Sequence, residues 1–231
     1  MPRNHAAIVL CLWLAAPLAG CVGARLAAAP AAGASISGAW KLNHVTSDDP
    51  QKVIDHMRAE AARRIARQAQ QAPVQRPGMR GGDAAADTLG DTQDSTPPTG
   101  HRPDPLRNSQ MYRVLTDALA RGDFLTVRGA AGEVVFDYGT SVRSFTPGGH
   151  SVVSAEGGVG DQTSGWDGRD YVINIKAQMG PDVSERYSLS ADGKHLIEKL
   201  RIGPAELPVV DLTRVYDPTS ETAPRRLPTN D

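Results

Sequence analysis

The sequence holds only two cysteines, and both, Cys11 and Cys21, lie within the first 21 of 231 residues. A disulfide framework and a cysteine-based metal site are thereby excluded from the rest of the chain. Charge of one sign is also lacking: 25 basic residues stand against 26 acidic ones, for a net −1. Without a global positive field, nucleic acid is a poor partner. The histidines after the first few residues, His44, His56, His101, His150 and His195, show no ligand spacing such as H-x-x-x-H, so no metal is implied. No G-x-S-x-G, phosphate-binding loop or dinucleotide fingerprint occurs. The cluster Gly157-Gly158-Val159-Gly160 lacks a strand-to-helix context and reads as a hairpin loop. No cofactor is indicated, and no catalytic residue is assigned.

What the chain does have begins at its start. Arg3 and His5 precede an apolar run from Ala6 to Leu18 that closes on small residues, the three-part layout of a secretory signal. Its end, Leu18-Ala19-Gly20-Cys21, resembles the lipobox of bacterial lipoproteins. That resemblance implies cleavage after Gly20, acyl chains (palmitate among them) on Cys21 and attachment to a membrane. Val22, rather than Asp, after the cysteine implies the outer membrane, with the domain facing the periplasm. The alternative is an uncleaved span over Ala6 to Ala24, in which Pro17 and Gly20 sit awkwardly. Val22 to Ser35 is mostly Ala, Gly and Pro and reads as a flexible tether.

The composition beyond the tether, with 17 Pro and 23 Gly in the whole chain, suits one core with irregular segments. Alternation around Trp40 predicts a strand at 38–45. Asp49-Pro50 is an N-cap with proline at the first helical position, and Val53, Ile54, Met57, Ala61 and Ile65 form one stripe of a helix over about 50–70. Its other faces carry Lys52, Arg58, Arg63, Arg64 and Arg67. That basic surface is either simply solvated or touches anionic lipid headgroups.

Residues 72–103 have only Val74, Met79 and Leu89 as large apolar groups and are expected to be disordered. Asp104-Pro105 repeats the cap pattern and predicts a second helix over about 105–121, with Met111, Val114, Leu115, Ala118 and Leu119 inward and Gly122 at its end. From Phe124 to Tyr216 nine short strand-like runs alternate with turn signals such as Pro147-Gly148-Gly149, Asp167-Gly168 and Asp192-Gly193. With the first strand they make about ten. The fold class is mainly β: an antiparallel meander curled into a barrel, two helices inserted after the first strand, and the first and last strands adjacent. The tail from residue 218 on is expected to fray.

The hairpin centred on Asp192-Gly193 fixes which residues share a surface. A type I′ turn there sets Leu189 opposite Leu196, Tyr187 opposite Glu198 and Glu185 opposite Leu200, so Glu185, Tyr187 and Glu198 lie on the apolar side. The two carboxylates are then diagonal neighbours roughly 7 Å apart at Cα, within the range used in sugar hydrolysis. They serve equally as a polar patch within a binding cavity, or as the lining of a wet lumen.

Gly38-Ala39-Trp40-Lys41-Leu42 at one end of the β part and Thr213-Arg214-Val215-Tyr216 at the other, with helices between, resemble the calycins, the lipocalin and fatty-acid-binding barrels. The resemblance implies a barrel whose closing R-x-Y, here Arg214 and Tyr216, holds a ligand carboxylate. It also allows Arg214 to stack on Trp40 and close the barrel floor. A second resemblance, to bacterial exported proteins sharing G-x-W-K-L-N, Ser47 to Pro50, Tyr187 to Gly193 and a final Arg-Val-Tyr-Asp, implies no function. The reading is of a non-enzymatic envelope lipoprotein that binds a lipidic or apolar ligand through Arg214, Tyr216, Tyr187, Glu185 and Glu198. The alternative is an accessory protein acting through protein contacts without an internal ligand.

Overall fold

The computed structural model describes residues 25–71, 103–130 and 132–221. The lipobox with Cys21 and the insert expected to be disordered lie outside these, apart from Pro103. Strand β1 (Gly38–Leu42) is followed by helices α1 (Pro50–Gln71) and α2 (Gln110–Leu119). Then come β2 (Phe124–Ala130), β3 (Glu133–Asp137), β4 (Val142–Phe145), β5 (Gly149–Ala155), β6 (Gly158–Asp167), β7 (Asp170–Ala177), β8 (Val183–Leu189), β9 (Leu196–Ile202) and β10 (Val210–Pro218). All pairings are antiparallel, in the order β4-β3-β2-β1-β10-β9-β8-β7-β6-β5. The first and last strands are neighbours, with Leu42 opposite Tyr216.

Ring contacts prove that this sheet curls. Phe136 on β3 lies 5.6 Å from Tyr171 on β7 and 4.6 Å from Tyr187 on β8, centroid to centroid, although many strands separate them around the sheet. The result is a nearly closed, ten-stranded antiparallel barrel with two helices inserted after its first strand. One seam stays unzipped, between β4 and β5.

Alternation along the strands fills the interior at two levels. Trp40, Leu125, Phe136, Phe145, Tyr171 and Leu196 are among the residues packing one end. At the other, Leu200, Ile202, Val210 and Leu212 pack on Met57 and Ala61 of α1 and on Met111, Leu115 and Ala118 of α2. Burial of such side chains contributes about 1.5–3 kcal/mol each, so the helices are held by the core rather than laid on it.

Three expectations are corrected. Helix α2 starts at Gln110, not near Pro105, because the Ser109 hydroxyl caps Tyr112 N. Asp104 instead opens a turn, accepting from Leu106 N at 3.0 Å and placing Leu106 wholly in the core. Ile65, expected inward, is 55 % exposed, since the core that buries Met57 and Ala61 does not extend to it. The described part of the expected tether, residues 25–35, is docked. Ala27 pairs with Trp166, Ala31 N donates to the Gly168 carbonyl at 2.9 Å, and the following Ile36 is buried beside Trp40.

Candidate functional site

Strand parity places Glu185 and Tyr187 on β8, Glu198 on β9, and Arg214 and Tyr216 on β10 inside the barrel, where each is at least 96 % buried. The pairings Leu189–Leu196, Tyr187–Glu198 and Glu185–Leu200 follow the expected register. The turn that sets them differs. Ser190 pairs with His195 across a four-residue loop, in which Gly193 N donates to the Ser190 carbonyl and Asp192 accepts from Ser190 Oγ and Lys194 N. Because this loop is centred on the same two residues as a type I′ turn, the facing is unchanged.

The five residues meet between the two apolar levels, joined by Arg121, Arg143 and Tyr138. Glu185 accepts from Arg121 Nη2 at 2.8 Å and from Arg143 Nη1 at 2.6 Å. The Tyr187 hydroxyl lies 2.9 Å from Glu185 Oε2, 3.1 Å from Glu198 Oε1 and 3.0 Å from the Tyr138 hydroxyl. With a single proton, it serves one carboxylate at a time. Tyr216 donates to Glu198 Oε2 at 2.8 Å, and Arg214 Nη2 donates to the Gly122 carbonyl at 2.6 Å. Its guanidinium lies over the Tyr216 ring, 5.3 Å from the centroid. That stack stands where the sequence reading has Trp40, whose indole N–H donates instead to the Ile36 carbonyl at 3.2 Å.

Three guanidinium groups thus face two carboxylates, a surplus of one positive charge. Among the described residues Arg121 Nη1 and Arg214 Nη1 are buried with no hydrogen-bond partner; they stand 3.7 and 3.6 Å from the Glu198 oxygens. Such atoms cost free energy unless a further acceptor joins them. Burial works against the charge on Glu185, but the Arg121 and Arg143 guanidinium groups outweigh it and hold the carboxyl well below the usual range. Burial, then the neighbouring carboxylates, pushes the Tyr187 and Tyr216 phenols well above 10.0.

The network meets solvent on the helical side of the barrel. The side chains of Arg121 and Arg143 keep 17 % and 21 % of their surface in water, against 1 % for either glutamate. They are the members of the network that reach water, Arg121 from the α2–β2 turn and Arg143 from β4. Sequence reasoning missed both, though Arg143 shares its parity with Phe145, and Tyr138 with Val134 and Phe136, so period two could have flagged them. Arg121 follows a helix end and carries no periodic signal.

No protein-family model matches the chain, and no curated protein sequence does. Solved structures do. The chain is similar to apo lipid binding protein 8 of Caenorhabditis elegans, at 10 % identity and a TM-score of 0.44, over 81 % of this chain and 100 % of that one. It is similar to the REP1-NXSQ fatty acid transporter, at 14 % and 0.40, over 80 % and 97 %. A third is the zebrafish ileal bile acid-binding protein complexed with cholic acid, at 14 % and 0.32, over 47 % and 85 %. These likenesses are distant, and the fold stands on the strand pairing described above.

The site is a network of guanidinium, carboxylate and phenol groups bonded to one another. Glu185, held ionised by two arginines, has no proton to donate as a general acid. Tyr187 and Tyr216, held protonated, remain donors.

Proposed function

We propose that the protein is a non-enzymatic binding module of the bacterial envelope, anchored through acylated Cys21 in the outer membrane and facing the periplasm, whose ligand is apolar and carries one acidic group. The observation that supports this is the surplus positive charge at the barrel centre, with Arg121 Nη1 and Arg214 Nη1 lacking acceptors among the described residues. An entering carboxylate offers both an acceptor and neutralises the surplus. Charge-assisted bonds from guanidinium groups are among the stronger ones available to such a ligand. Tyr216 and Tyr187 hold the glutamates beside this seat by donating to them, within the same apolar enclosure.

A second reading rests on packing. Phe136, Tyr171, Tyr187, Leu196 and Tyr216 are completely buried and occupy the lumen, so an apolar tail enters only if side chains move aside. A lumen that stays shut makes this an accessory protein acting through its outer surface.

Fluorescence titration of the full mature chain with 11-(dansylamino)undecanoate and with its uncharged methyl ester separates the two. Binding of the acid at least tenfold tighter than the ester, with the preference lost in Arg214→Met and weakened in Arg121→Met, is the expected result. Circular dichroism checks that both variants fold. Equal binding of acid and ester overturns the carboxylate seat, and no binding of either leaves the second reading in place.

A further inference from the structure

Residues 25–36 run across the end of the barrel opposite the helices. Ala27 and Trp166 exchange backbone hydrogen bonds at 2.8 and 2.9 Å, taking the place on β6 that a longer β5 would fill. The fit needs glycine on both sides: a Cβ on Gly165 would sit 2.7 Å from the Ala27 carbonyl oxygen and 2.9 Å from Leu26 Cβ, and one on Gly148 would sit 3.2 Å from Ala28 N. The strap then bonds to Gly168 in the β6–β7 turn, passes the β8–β9 loop near Ala34 and Ser35, and enters the core at Ile36.

Cys21 precedes Ala27 by six peptide steps, which span at most about 22 Å however they are arranged. Strand β10, nine residues long and tilted as barrel strands are, rises about 20 Å along the barrel axis, and the helices, about 10 Å thick, lie beyond its far end. From these lengths, and resting on the acylated Cys21 of the proposed function, we infer that the strapped end of the barrel faces the lipid surface that holds the anchor, while the helices, with Arg121 and Arg143, point away from it. The chemistry of that end fits an anionic surface. Arg25, Arg169 and Lys194 are exposed there against the exposed carboxylate of Asp192, whereas Asp167 and Asp170 are taken up by Arg186 at 2.7 and 2.8 Å, which leaves a positive excess. The basic side of α1 is carried away from the headgroups, so it does not serve as the membrane contact.

Single-cysteine variants of the lipidated mature chain test this, each labelled with bimane on phosphatidylcholine–phosphatidylglycerol vesicles containing a headgroup-level quencher. Labels at Arg169→Cys and Lys194→Cys are expected to be quenched at least threefold more than labels at Arg63→Cys and Met179→Cys. Inserting twenty Gly/Ser residues after Gly23, or forcing the strap off with Gly165→Val, removes the difference. Equal quenching at both ends of the unaltered chain overturns the orientation while leaving the anchor standing. An intact mass without acyl chains overturns the anchor reading itself, and the orientation with it.

Discussion

Glu185→Gln keeps the shape of a side chain that is 1 % exposed and removes only its charge. Arg121 and Arg143, both bonded to it within 2.8 Å, are then left with Arg214 around Glu198 alone, three positive charges against one negative. Breaking a buried pair from one side costs about 3–5 kcal/mol. Since the two arginines keep about a fifth of their side-chain surface in water, the lower end, about 3 kcal/mol, is expected here. At roughly 2–4 °C per kcal/mol for a domain of this size, Tm falls by about 6–12 °C. Thermal melts at pH 7, followed by near-ultraviolet circular dichroism, measure it. The pH dependence has a definite sign. A carboxyl lowered in the folded state stabilises fully above its unfolded value of about 4.5, and that contribution is lost as pH falls further towards the folded value. The penalty of Glu185→Gln therefore shrinks in acid. A loss below about 1 kcal/mol at pH 7, or one that grows as pH falls from 5 to 3, would refute the buried-network account.

Two further outcomes follow from the same packing. The phenols of Tyr138, Tyr187 and Tyr216, raised in the folded state mainly by burial, stabilise below pH 10 and lose that contribution as pH rises through their folded values. Their tyrosinate absorbance at 295 nm is expected to appear only together with unfolding, and ionisation near pH 10 with the fold intact would contradict this. Ser109→Ala removes the cap of α2 and the 2.6 Å bond from Ser109 Oγ to Glu206, for a loss of about 1 kcal/mol in denaturant melts. An unchanged midpoint would mean that Glu206, which also accepts from Met111 N, caps the helix by itself.

The strand order and the inward placement of Glu185, Tyr187 and Glu198 were legible because a period of two and a loop centre fix parity without any knowledge of tertiary contacts. The turn type was not legible, but parity does not depend on it. The start of α2 was misplaced because Asp104-Pro105 satisfies local capping rules, whereas the competing demand, Leu106 reaching the core, is a tertiary one. The docking of residues 25–35 could not be read from Ala, Gly and Pro either. Nothing in those side chains reveals that the partners are backbone groups of β6 and the β6–β7 turn. Arg121 and Arg143 carry the same lesson for the site: a charge buried by distant partners looks in sequence like any surface charge.

Nine strand pairings tie the barrel together, and eight of them join β-strands adjacent in chain order or separated only by the helical segment. The ninth, between β1 and β10, sets Trp40 opposite Pro218, with every other strand between them in the sequence. Closing so large a loop is entropically unrewarded until the rest of the meander exists. Ribosomal synthesis delivers the tryptophan strand before every other element and leaves it without this neighbour until all the other strands have emerged.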